Sequence, residues 1–166
     1  MAQAGLRKAV FPGSFDPFTL GHQQIVDQAL EVFDRVLIAV GKSGSKQALL
    51  ETSIRLEALR ETYAAEPRVE IHSFSGLVVE FARQVQAQSL IRGLRSEADL
   101  AYELPMAHMN RSLVPQVQTL FFPTAADKAY ISSTLVREIA RNNGNFSTFV
   151  PPAFARVMRE ALASGR

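Results

Sequence analysis

Five short apolar runs, separated by segments of helical periodicity, constrain this chain more than any other feature. The runs are Lys8 to Phe11, Val36 to Val40, Val69 to Phe74, Ser89 to Arg92 and Gln118 to Phe122. They are rich in Val, Ile, Leu and Phe and apolar nearly throughout, as strands covered on both faces of a parallel sheet should be. Between them, Gln23 to Phe33 places Ile25, Val26, Ala29, Leu30 and Phe33 on one helical face. Thr52 to Tyr63 opens on a candidate cap, and Val78 to Gln86 and Glu97 to Leu113 follow. Ser132 to Asn143 stops at Asn143-Gly144, and Pro151-Pro152 introduces a last helix ending near Ala163. Strand–helix alternation implies right-handed crossovers. The expected fold is therefore α/β: a doubly wound, Rossmann-like, five-stranded parallel sheet with helices on both faces. Ligands of such sheets bind beyond the carboxyl ends of the strands, so chemistry is sought just after each one.

The 166 residues suit one domain, 1–166, and no repeat or linker divides them. No apolar run approaches the ~20 residues of a membrane helix, and the first residues lack a signal-peptide core. Without cysteine, disulfides and thiolate metal sites are excluded, and a cytoplasmic setting is expected. The formal charge is only +2, with basic residues scattered among acidic ones, which is not a nucleic-acid footprint.

Four segments follow strands and concentrate polar chemistry. After the first come Pro12-Gly13-Ser14-Phe15-Asp16-Pro17 and then Gly21-His22 at the head of a helix. The glycines let backbone approach a ligand, the helix terminus offers unpaired N–H groups, and Ser14 adds a hydroxyl. A helix dipole disfavours an imidazolium there, so His22 is expected to be neutral and to donate one hydrogen bond. Turn chemistry alone explains Gly13, Asp16 and Pro17 but not so many phosphate-binding groups together. After the second strand, Gly41-Lys42-Ser43 suggests a P-loop, yet that motif needs glycine where this chain has Val36. After the fourth comes Arg92-Gly93-Leu94-Arg95. An arginine ending a buried strand needs an anionic partner: Glu97, Asp99 or Glu103 for Arg95, and phosphate for Arg92. After the fifth, Ser132-Ser133-Thr134 opens a helix with more hydroxyls than one cap requires, which suggests a second anion-binding terminus. His72 and His108 have no metal-ligand partner at suitable spacing.

These segments together resemble the adenylyltransferase group of the nucleotidyltransferase superfamily. Thr19-Leu20-Gly21-His22 stands for its His-x-Gly-His signature and Ile131 to Arg137 for its Ile-Ser-Ser-Thr-x-x-Arg motif. Within it, that first Thr, Arg92-Gly93-Leu94-Arg95 and Ala107-His108-Met109-Asn110-Arg111 resemble the bacterial phosphopantetheine adenylyltransferase family of coenzyme A biosynthesis. The resemblance implies transfer of the adenylyl group of ATP to 4′-phosphopantetheine, in line and without a covalent enzyme intermediate. It implies catalytic roles for His22, Lys46 (chosen over Lys42) and Arg92. Contacts to ATP are implied for Ser14, Phe15, His22, Gly93, Leu94, Arg95, Glu103, Tyr130, Ile131, Ser132, Ser133 and Thr134. Contacts to the acceptor are implied for Ser14, Lys46, Leu77, Val78 and Arg92. Mg²⁺ is expected to arrive with the triphosphate, since no carboxylate cage is visible. A homohexamer and feedback by coenzyme A are further implications. The alternatives are a relative acting on nicotinate mononucleotide or glycerol phosphate, and a non-catalytic nucleotide-binding module. Ser14 stands where Thr is commoner, and Ala126-Asp127-Lys128 replaces an often aromatic segment on the adenine side. Pro105 is expected to kink or break the helix that carries Glu103.

Overall fold

A computed structural model describes residues 5–41 and 48–164. Lys46 therefore lies outside the described residues. The five strands are β1 (Lys8–Gly13), β2 (Arg35–Gly41), β3 (Val69–Phe74), β4 (Ser89–Leu94) and β5 (Gln118–Pro123). All pair in parallel, in the order β3-β2-β1-β4-β5. Alternation along each strand divides the core into two layers. Ala9, Phe11, Val36, Ile38, Val40 and Ile91 face one side, and Val10, Leu37, Ala39 and Leu90 the other.

Over the first layer lie α1 (Leu20–Val32), α2 (Thr52–Thr62), α5 (Ser133–Arg141) and α6 (Pro152–Ser164), which supply Ile25, Ala58, Leu59, Val136, Phe154 and Met158. Over the second lies α3 (Val78–Gln84) with Val79 and Ala82, joined by Val114 at the end of α4 (Glu97–Leu113). The doubly wound expectation holds. No helix of the described residues is long and apolar enough to cross a membrane.

Several boundaries differ from expectation for local reasons. Helix α1 begins three residues early because Thr19 caps it, so Gly21 and His22 lie inside its first turn. Strand β4 continues to Leu94, which puts Arg92 within the strand rather than at its end. The N-cap of α2 is Glu51, and Thr52 instead accepts from Arg55 Nη2 at 2.9 Å. Pro105 does not break α4, which runs unbroken from Glu97 to Leu113. Ala101, whose carbonyl loses the proline's missing N–H, is exposed, so water can satisfy it.

The strand order reverses between β1 and β4, where a crevice opens at the carboxyl ends. Strands β1 and β2 pair over six positions, but β1 and β4 over only two, Ala9–Ser89 and Val10–Leu90. Beyond those pairs the two central strands part. The Arg92 guanidinium spans the gap, its Nη1 donating to the Pro12 carbonyl at 3.2 Å.

Candidate active site

The parting strands open a cavity of about 460 Å³ walled by the end of β1, the start of α1, β4, α4 and the start of α5. Of the residues singled out in the sequence, Ser14, Phe15, His22, Arg92, Gly93, Arg95, Glu103, Ile131, Ser132, Ser133 and Thr134 line it. These come from segments up to 120 residues apart, counted from 14 to 134.

His22 is held by a reciprocal cap. The Thr19 N–H donates to His22 Nδ1 at 3.0 Å, and the His22 N–H donates to Thr19 Oγ1 at 3.3 Å. A backbone N–H can only donate, so Nδ1 must be the acceptor nitrogen and the proton sits on Nε2. Rings of Phe11, Phe15 and Phe18 surround the imidazole at centroid distances of 6.1, 5.2 and 5.4 Å. Burial, then the nearby Arg95 and Arg92 charges, push its pKa down to about 4. At neutral pH His22 is thus an uncharged donor through Nε2–H, aimed by its own helix cap. Gly13 is required by space: a Cβ there would lie 2.8 Å from the Phe15 ring that supports His22.

The arginines are already paired. Arg92 Nε donates to Glu103 Oε2 at 2.8 Å and its Nη2 to Oε1, a two-point ion pair. Arg95 donates through its backbone N–H to Asp99 at 2.8 Å and through Nε at 3.1 Å. Hydrogen bonds from the Arg95 side chain hold the Asp99 carboxyl below its usual range. The internal pair foreseen for Arg95 is present, and Arg92, expected to await phosphate, has one too. An anion entering here must compete with Glu103.

The hydroxyls opening α5 are also engaged. Ser132 Oγ accepts from the Leu135 N–H at 3.2 Å, Ser133 Oγ donates to the Pro17 carbonyl at 2.8 Å, and Thr134 Oγ1 accepts from Arg137 Nη2 at 3.3 Å. The surplus beyond one cap thus ties α5 to the loop after β1 and within itself, rather than standing free for an anion. Ser132 and Thr134 keep a proton each to donate, and both line the cavity.

Some expected residues lie elsewhere. Leu77 is 58 % exposed beside α3, and Val78 packs on the second core layer; neither lines the cavity. Tyr130 points outward, 63 % exposed against Phe149. Leu94 is absent from the walls; its carbonyl accepts from the Thr124 N–H at 2.8 Å. Phe15 lines the cavity although the residue is only 2 % exposed. In the stretch Ala126 to Lys128, Lys128 Nζ pairs with Asp127 at 2.7 Å. Among the described residues no group of three or more His, Asp or Glu could hold a metal. The cavity carboxylates Asp99 and Glu103 both serve arginines, so they do not fit a resident Mg²⁺.

Sequence reasoning missed the frame around the loop after β1. The Asp16 carboxylate accepts the Leu49 and Leu50 N–H groups, both at 2.9 Å. Arg55 Nη1 donates to the Ser14 carbonyl, and Arg137 Nη1 to that of Asp16. Arg55 and Arg137 stand 41 and 121 positions from these partners, and no sequence spacing reveals them.

A parallel sheet with a switch-point cavity, a neutral histidine on a capped helix start and two arginines opposite suit a ligand that carries phosphates. Residues 10–139 match the cytidylyltransferase-like family model. The chain is 45 % identical, over 160 residues, to a phosphopantetheine adenylyltransferase of a Nocardioides species, covering 96 % of this chain and all of that protein. A Vibrio parahaemolyticus crystal structure, provisionally named a nicotinate-nucleotide adenylyltransferase, superposes with a TM-score of 0.71 over 93 % of this chain and 99 % of that one. At 18 % identity that likeness shows the fold alone. The chain belongs to the cytidylyltransferase-like nucleotidyltransferases and, within them, to the phosphopantetheine adenylyltransferase family.

Proposed function

We propose that this enzyme transfers the adenylyl group of ATP to 4′-phosphopantetheine, giving dephospho-coenzyme A and pyrophosphate. The observation that carries the reading is the neutral Nε2–H of His22 facing Arg92 and Arg95 across one cavity. An acceptor phosphate is already an anionic nucleophile and needs no base. One of its oxygens attacks the α-phosphorus of ATP; that P–O bond forms as the α–β bridging P–O bond breaks, and pyrophosphate leaves with the electron pair. The enzyme's part is alignment and stabilisation of developing charge.

In this reading His22 donates to the α-phosphate as it becomes pentacovalent. Arg92, released from Glu103, holds the acceptor phosphate together with Lys46. Ser14 positions both reactants. Arg95, Glu103, Gly93 and the start of α5 meet ATP. Leu77 and Val78 are assigned to the pantetheine arm on family grounds alone. Mg²⁺ enters as part of the MgATP substrate. The exposed apolar residues of α4, among them Tyr102 and Met109, support self-association, and a homohexamer rests on the family reading. Feedback by coenzyme A and a cytoplasmic setting rest on the family reading.

Incubation with ATP, Mg²⁺ and 4′-phosphopantetheine should release pyrophosphate. Silence there with turnover on nicotinate mononucleotide or glycerol phosphate would move the enzyme to a related specificity. Silence on every acceptor, with ATP still bound, would leave a nucleotide-binding module.

A further inference from the structure

Arg55 is the least accessible cation described, 3 % exposed on α2, and no carboxylate bonds to it. Its Nη1 donates to the Ser14 carbonyl, its Nη2 to Thr52 Oγ1 at 2.9 Å, and its Nε has no partner. A buried guanidinium left with neutral acceptors is costly unless its placement serves something else. The nearest opposite charge is the buried Asp16 carboxylate, held by the Leu49 and Leu50 N–H groups.

Drawing the Ser14 carbonyl toward α2 has a fixed consequence. Carbonyl and N–H point opposite ways across a trans peptide, so the Phe15 N–H is turned away from Arg55. Phe15 adopts a left-handed backbone, φ 50°, and its N–H has no acceptor among the described residues. Ser14 and Phe15 both line the cavity. We infer that Arg55 is a positioning residue whose grip on the Ser14 carbonyl presents the Phe15 N–H to an ATP phosphate. Arg55 meets no substrate itself. It acts through the peptide between residues 14 and 15, fixed from the side opposite the ligand. The inference rests on ATP being bound here but not on the identity of the acceptor.

The test compares wild type, Arg55→Met and Arg55→Lys by direct ATP titration and by turnover, each corrected for the folded fraction. One lost preorganised donor costs about 10²–10³ in turnover, and a displaced one less. Folded Arg55→Met should lose about tenfold in ATP affinity and about 30-fold in kcat, with KM for 4′-phosphopantetheine within about threefold. Arg55→Lys, which keeps one donor, should recover part of both losses. ATP affinity and kcat both within about threefold of wild type in folded Arg55→Met would overturn the assignment, as would equal loss in the KM of the acceptor. If Arg55→Met does not fold, Thr52→Val removes the second anchor of the guanidinium and keeps its charge. That variant should lose ATP affinity about three- to fivefold, and a change under about twofold would equally overturn the assignment. A wild type that binds ATP but leaves 4′-phosphopantetheine untouched would sink the proposed reaction while the ATP titrations still decide on Arg55.

Discussion

At the scale of single residues, His22 joins two functions that one substitution can separate. Its Nδ1 closes the helix cap with Thr19, and its Nε2–H faces the cavity. Glutamine at the same cap position can return an oxygen to the Thr19 N–H, as in an ordinary capping box. His22→Gln should therefore fold normally yet lose about 10²–10³ in turnover. Steady-state rates within a few-fold of wild type would remove His22 from the chemistry. The same ring makes a pH prediction. Its folded pKa of about 4 lies below the ordinary 6.5, so the unfolded chain takes up a proton that the folded one refuses. Stability linked to His22 is intact above pH 6.5 and is lost as pH falls from there toward 4. The loss amounts to on the order of 3 kcal/mol for a shift of this size. Melting curves of wild type between pH 7 and 4.5 should fall more steeply than those of His22→Gln, and parallel curves would contradict a neutral imidazole.

At the scale of elements, the site depends on how β1 ends. Gly13 is the last strand residue, and a methyl there meets the Phe15 ring at 2.8 Å. That ring is itself held by Phe11 at 5.3 Å and Phe18 at 5.4 Å, so it has little room to yield. Gly13→Ala should cost about 1–3 kcal/mol by overpacking and displace the imidazole above it. Calorimetry and turnover should both register the change; a loss of stability without loss of activity would show that the ring stack does not aim His22. Much of this architecture was legible beforehand, because five all-apolar runs and their helical spacers leave few alternatives to a doubly wound sheet. The segments lining the cavity were legible too, since each followed a strand. The bonds within it were not. Arg92 with Glu103, Arg55 with Ser14 and Arg137 with Asp16 join residues 11, 41 and 121 positions apart, and no local pattern selects such partners. Leu77, Val78 and Tyr130 came from family likeness alone, and they do not line the described cavity.

At the scale of the whole molecule, α4 is the element whose sequence does not suit a lone monomer. Tyr102, Met106, Met109 and Leu113 are 80, 54, 62 and 55 % exposed. Spaced at i, i+4, i+7 and i+11, they form one apolar stripe along the helix. A contiguous apolar surface of this kind marks an association face more often than a solvated one. The same helix carries Glu103 and Asp99, which hold Arg92 and Arg95, so its outer face and the cavity share one rigid element. Self-association through α4 would then bear on the two arginines of the site. Replacing Met106 and Met109 together by lysine puts two charges on the stripe without touching the core or either ion pair. Sedimentation at micromolar concentration should show wild type above the monomer mass and the double variant shifted toward it, with the helical content of both unchanged. A wild type already monomeric at that concentration would end the assembly proposal. An unshifted double variant would move the contact off this face of α4.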